Sequence, residues 1–193
     1  DEKLMPKSII QSYKIISKGI LLALKELGIN ASMKEDKIEK NKKTAICFQE
    51  PNYYEIIANN KKIVGSAQTR KQGKLLQHGA VLIDIDIEKY VNCFNLKNID
   101  EEIKKSKNRV TSINDELNAE RSEADRQPKI GVNNGRADRR NIIRFLADRN
   151  NLVDNKKIDN EVTYGGVAKA MEYGFKENFK ADWIRDKLTE KES

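Results

Sequence analysis

Between Pro6 and Leu27 apolar side chains recur at Ile9, Tyr13, Ile16, Ile20, Leu24 and Leu27, spacings of three and four that gather them on one side of a helix. Pro6 suits the first turn of that helix, and Gly28 stands where a left-handed C-cap belongs, so the predicted helix ends near Leu27. A one-sided stripe has to pack on a sheet or on another helix. Residues 33–43 read as a polar, lysine-rich loop.

Strand-like runs follow at residues 44–49, 53–58, 61–67 and 75–87. Asn59-Asn60 fits a tight turn between the second and third, because asparagine tolerates positive φ. In the last run Leu76, His78, Ala80 and Leu82 share one face, and Val81, Ile83 and Ile85 the other. Helical turns are expected at 86–92 and 99–106. Near the C-terminus Thr163 can cap a helix with Tyr164, Val167, Met171, Phe175 and Asn178 along one side.

Arginine interrupts this pattern. Seven of the chain's ten arginines lie between Arg121 and Arg149, where Ala-Asp-Arg occurs at Ala124, Ala137 and Ala147. Pro128, Gly131 and Asn134-Gly135 break residues 127–136 into loop, and 139–149 could form a short helix. We therefore expect residues 119–160 to be an insertion or mobile appendage on a domain built from 1–118 and 161–193.

At 193 residues the chain can bury one core, and its 38% hydrophobic and 35% charged residues describe a polar protein with a net charge of +7. The longest apolar stretch, 19–24, is too short to span a bilayer, and no leader pattern opens the chain. Cys47 and Cys93 make no disulfide framework, and no Cys/His grouping has zinc spacing, so the expectation is the reducing cytoplasm with no metal. The basic surplus reads first as a solvated surface and next as a site for an acidic protein. Nucleic acid is the weaker reading, because Glu120, Glu123, Asp125, Asp138 and Asp148 dilute the arginines.

Three chemically capable residues stand close together in sequence. Cys47, alternating with Ala45 and Gln49, points away from Ile46 and Phe48, so it need not face a core. Lys62 shares a strand face with Val64 and Ser66, and Gly65, Ser66 and Ala67 are small, as if something approached the backbone. A lysine there could lower a thiol's pKa and bind a developing oxyanion. His78 is either a satisfied core histidine or a site residue, with Gly79 permitting close approach of a ligand or a strand. Cys93 lacks such neighbours and is expected to serve packing.

Cys47-Phe48, Tyr54-Glu55-Ile56, Lys62-Ile63-Val64-Gly65-Ser66-Ala67-Gln68-Thr69-Arg70 and Leu76-Gln77-His78-Gly79-Ala80-Val81-Leu82 together resemble the biotin/lipoate protein ligase family, nearest its Gram-positive-type octanoyltransferases. The resemblance runs over about 6–118 and resumes at 162–179. It implies an α+β fold, a mixed and mainly antiparallel sheet flanked by helices. It also implies that Cys47 takes an octanoyl group from acyl carrier protein as a thioester. A lysine of a lipoyl domain, such as glycine cleavage H protein, then receives it as an amide.

By the same resemblance Lys62 would stabilise the oxyanion, Gly65, Ser66 and Ala67 would help wall the pocket, and Gln77, His78 and Gly79 would lie on the adjoining strand. No cofactor or metal is implied. The family's arginine-rich, double-glycine segment is expected upstream of the first helix and does not precede Asp1, so the chain reads as a C-terminal portion completed by a missing segment or a partner chain. An ATP-dependent lipoate ligase and a non-catalytic fragment or binding module are the alternatives.

Overall fold

The computed structural model describes residues 2–34, 55–126 and 162–180. The expected strand at 44–49 and the loop and helix expected at 127–136 and 139–149 lie outside the described residues.

After a 3₁₀ turn at Glu2–Leu4, helix α1 spans Ile9–Glu26. Ser8, not Pro6, starts it: the Ser8 side chain accepts the Gln11 amide. The C-terminus closes as a Schellman motif. Gly28 at φ +85 sends its N–H to the Lys25 carbonyl, and the Ile29 N–H reaches the Leu24 carbonyl. Leu24 and Ile29 are both buried, completing the apolar contact that accompanies this cap.

The buried face of α1 keeps Ile20, Leu24 and Leu27 of the expected stripe and adds small residues to them. Ser12, Ser17, Gly19, Ile20, Ala23 and Leu24 are buried, while Ile9 is 58% exposed. Small residues face inward because helix α5, Tyr164–Phe179, lies against α1 at close range. A Cβ on Gly174 would meet the Gly19 carbonyl and the Ala23 amide, and one on Gly19 would meet the Phe175 ring. Thr163 caps α5 as expected, its hydroxyl accepting from Gly166 N, but Tyr164 is 80% exposed and leaves the expected face. Asn178 Nδ2 donates to the Ile15 carbonyl at 2.7 Å and fixes the register of the two helices.

The described sheet has four strands, order β1-β2-β3-β4, every pairing antiparallel: β1 Ala31–Met33, β2 Ile56–Ala58, β3 Lys61–Lys71 and β4 Lys74–Val81. β1 falls partly in the stretch expected to be loop. Asn59 and Asn60 both take positive φ, +47 and +62, and pair Ala58 with Lys61 across the turn. Gln72 and Gly73 do the same between β3 and β4.

Past β4 the chain turns irregular rather than extending to Ile87, which opens helix α2, Ile87–Asn92, capped by Asp86. Helix α3, Ile99–Arg109, leads to Val110, which bridges Lys62 in parallel. Ser112 then caps α4, Ile113–Arg126, by accepting the Asp115 amide. This helix runs on past position 119, where the sequence suggested an appendage begins.

The core gathers Ile20, Ala23 and Leu24 of α1, Ile56, Ala58, Ile63 and Val64 of the sheet, Ile113 and Leu117 of α4, and Val167 and Ala170 of α5. α5 is tied to the rest by the Val162 N–H, which donates to Asn114 Oδ1 at 3.0 Å. Cys93 corrects its expected packing role: it is exposed at the end of α2, its thiol against the Lys89 carbonyl.

Candidate functional site

Register decides which side chains of the β3–β4 hairpin meet. Ser66 pairs with Gly79 and Gln68 with Gln77, so these four share one side of the hairpin. Ala67 pairs with His78 and Gly65 with Ala80, on the other side. The first side lies under α1, where Ser12 Oγ bonds Gln68 Oε1 at 3.0 Å and the Gln68 amide donates to Gln77 Oε1 at 2.8 Å. Arg70 strengthens this seam by donating to the Pro6 and Lys7 carbonyls and to Ser12 Oγ. The start of α1 is thereby held onto the hairpin.

Lys62 sits near the start of β3 with only 4% of its side chain exposed, its Nζ 2.7 Å from Glu55 Oε1, and Glu55 is 3% exposed. A lysine this deeply buried needs a charged partner, since desolvation otherwise disfavours the ammonium. Tyr13 of α1 closes the cluster by donating from its hydroxyl to the Ser66 carbonyl at 3.4 Å. Burial is the main cause that pushes the Tyr13 phenol above its ordinary pKa, the hydrogen bond with Ser66 works against it, and the Glu55 charge adds to the rise. The phenol is therefore a neutral donor at physiological pH.

Lys62, Glu55, Tyr13 and Ser66 thus form one polar cluster between α1 and the sheet. The ammonium supplies positive charge and N–H donors in a site shielded from water, which is what a developing oxyanion requires. His78 and Ala67 are exposed on the opposite side of the hairpin. Gly79 serves close strand packing, because a Cβ there would strike the Gly65 carbonyl and come within 3.0 Å of Ser66 Oγ. Cys47 lies outside the described residues.

The sequence reading gave Glu55 and Tyr13 no role in the site. Glu55 had one available signal, an acid inside the apolar run that the Asn59-Asn60 turn folds back onto Lys62. A register shift lies between Ile56 and Ile57, close to Glu55, where β2 pairs with β3. A hollow of about 480 Å³ lined by Lys61, Asp86, Glu88, Lys107, Thr111 and Asp115 lies apart from this cluster and includes neither Lys62 nor Ser66. Among the described residues no group of acids, histidines and cysteines could hold a metal ion, and no helix is long and apolar enough to cross a membrane.

Comparison with known proteins agrees with this architecture. Octanoyltransferase LipM of Halalkalibacterium halodurans is 38% identical over 120 residues, covering 58% of this chain and 44% of that protein. LipM of Lysinibacillus sphaericus is 43% identical over 97 residues, 47% of this chain and 35% of that protein. The chain therefore spans less than half the length of these relatives.

A lipoate-protein ligase A crystallised with ATP superposes with a TM-score of 0.55 at 21% identity, covering 96% of this chain and 52% of that one. A bi-partite lipoate protein ligase from Thermoplasma acidophilum gives 0.58 at 19% identity, covering 97% and 52%. These two establish the shared α+β fold. Residues 1–130 match the model of the lipoyl protein ligase A/B catalytic domain, and the chain belongs to that family.

Proposed function

We propose that this chain is the part of an octanoyltransferase that carries the acyl-accepting thiol, Cys47, and the oxyanion-binding cation, Lys62. One observation carries the reading: a lysine paired with a glutamate at 2.7 Å in a nearly dry site on β3, in a chain 38–43% identical to octanoyltransferases over about half its length. The Cys47 thiolate attacks the carbonyl carbon of an octanoyl thioester on acyl carrier protein. The new C–S bond forms, the bond to the carrier's sulfur breaks with the carrier leaving as its thiolate, and the acyl group rests on Cys47. The neutral ε-amine of a lipoyl-domain lysine then attacks, an amide forms, and Cys47 leaves as the thiol.

Lys62 stabilises the tetrahedral oxyanion in both halves of the exchange. Ser66 and Gln77, on the α1 side of the hairpin, border the acyl group's path, while Ala67 and His78 face the other side and take no part in it. The net charge of +7 would steer the encounter with acidic carrier and acceptor domains, in a reaction we assign to the cytoplasm.

The test supplies the chain with octanoyl-acyl carrier protein and an apo lipoyl domain. Amide-linked octanoyl on the acceptor without ATP, lost in Cys47→Ala, supports the proposal. Transfer of free octanoate or lipoate that requires ATP and survives Cys47→Ala would assign the chain to ligation instead.

A further inference from the structure

Positive charge is unevenly spread over this chain. Residues 7–25 hold four lysines, Lys7, Lys14, Lys18 and Lys25, and no acid, so more than half of the net charge of +7 sits there. Residues 55–126 are nearly neutral, with thirteen bases against twelve acids. Helix geometry lines the lysines up. Lys14, Lys18 and Lys25 of α1 fall within about 40° of one another around its axis and span about 16 Å along it, and Lys7 stands just ahead of the Ser8 cap.

This strip is the side of α1 that nothing described packs against. Ser12 and Tyr13 turn to the hairpin and Gly19 and Ala23 to α5, while Lys18 and Lys25 are exposed. Among the described residues no carboxylate pairs with Lys7, Lys18 or Lys25.

The neighbouring helix extends the surface. α5 runs antiparallel to α1, since Asn178 reaches Ile15 while Gly174 seats against Gly19 and Ala23. Tyr173 and Leu22 each precede a member of that contact by one residue, so they stand at the same level of the pair, and both are exposed. Lys169 and Lys176 flank Tyr173 one turn either way and, with Glu172, line a hollow of about 270 Å³. Two apolar side chains are thus framed by lysines.

That layout complements an amphipathic acidic helix laid along the pair, its carboxylates on the lysines and an apolar side chain against Leu22 and Tyr173. A phosphate backbone would leave Leu22 unused, and a lipid surface needs a broad apolar face, which α1 has spent on the core. The acceptor of the acyl group has to bring a lysine of its own, and a lysine row repels it.

We propose that the outward face of α1 and α5, through Lys18, Lys25, Leu22 and Tyr173, docks an acidic helix of the acyl donor, the acyl carrier protein. The partner's identity rests on the acyl-transfer reading; the docking face does not.

The test measures binding of fluorophore-labelled octanoyl-acyl carrier protein by anisotropy. Lys18→Glu/Lys25→Glu should raise Kd by about 10- to 100-fold, and Lys18→Gln/Lys25→Gln should fall between it and the wild type. Lys71→Glu/Lys74→Glu makes the same change of net charge at the tip of the β3–β4 hairpin and should leave Kd within about twofold of the wild type. Leu22→Ala/Tyr173→Ala should weaken binding about tenfold, by faster release. Equal losses from the two charge reversals, or none from either, overturn the proposal. So does tighter binding of a random duplex, an anionic vesicle or an apo lipoyl domain to the same lysines.

A second arm compares two donors for Cys47 acylation. Lys18→Glu/Lys25→Glu should slow transfer from octanoyl-acyl carrier protein about tenfold or more and leave transfer from neutral octanoyl-pantetheine unchanged. An equal loss with both donors overturns the docking role. A wild-type chain acylated by neither donor overturns the acyl-transfer reading instead, and the binding arm still decides the docking.

Discussion

The α1–α5 contact gives an unusually clear sign test, because two ordinary expectations for Gly174→Ala oppose each other. Helix propensity alone predicts that alanine at an interior position of α5 gains about 1 kcal/mol. The structure predicts the reverse. The added Cβ would land on the Gly19 carbonyl, 2.7 Å from the Ala23 amide and 3.1 Å from the Ala23 side chain. Those atoms are largely backbone of α1, so no side-chain rotation relieves the overlap and the helices must separate.

Overpacking of this kind costs about 1–3 kcal/mol, and backbone crowding places it at the upper end. The net effect is a loss of about 1–2 kcal/mol, which for a chain of this size lowers Tm by about 2–8 °C. Gly165→Ala is the internal control. It lies in the first turn of the same helix with its nearest neighbour, Thr163 Oγ1, 3.9 Å from the added carbon, so it should leave Tm unchanged or raise it. Thermal melts of both variants by circular dichroism settle the matter. A Gly174→Ala chain as stable as Gly165→Ala would refute the close packing of α1 on α5, and with it the basis for holding Tyr13 over the Lys62 site.

Lys62→Met should destabilise by about 3–5 kcal/mol, because it removes one partner of a buried ion pair, and Lys62→Met/Glu55→Leu should recover most of that loss in denaturant titrations. Ser112→Ala removes the hydroxyl that caps α4 and should cost about 1 kcal/mol by the same measurement. Asp86 has its pKa lowered, first by the hydrogen bond from the Lys89 amide and then by the Lys89 side chain. Its contribution to α2 is therefore full above the ordinary aspartate value and is lost as pH falls through the lower folded value. Carboxyl carbon NMR should show Asp86 titrating below exposed aspartates, and the shift should vanish in the unfolded chain.

Local signals located most of the described helices and three of the four described strands. Gly28, Thr163 and Asp86 mark their caps in the sequence, because caps use short-range chemistry that survives any tertiary context. Helix α4 was harder to read: Ile113 and Leu117 are the only large apolar side chains of its first turns, and the rest is polar. Strand β1 has three residues, too few to display alternation. The expected face of α1 holds at Ile20, Leu24 and Leu27, but weighing large apolar residues left out Ser12, Gly19 and Ala23, which carry the close contact with α5 or the hairpin.

The site shows the same division. Strand parity separates Gln77 from His78 within β4, but putting Ser66 on Gln77's side needs the β3–β4 register. The Glu55–Lys62 pair joins the residue just before β2 to β3, and the acid inside an apolar run was the signal left unused.

The most direct measurement is intact mass of this chain after mixing with octanoyl-acyl carrier protein, without ATP or an acceptor. Acyl transfer through Cys47 predicts a single octanoyl adduct that hydroxylamine removes, that is absent from Cys47→Ala, and that forms about 100- to 1,000-fold more slowly in Lys62→Met. An octanoyl adduct that persists in Cys47→Ala, or none on a folded wild-type chain, would contradict it.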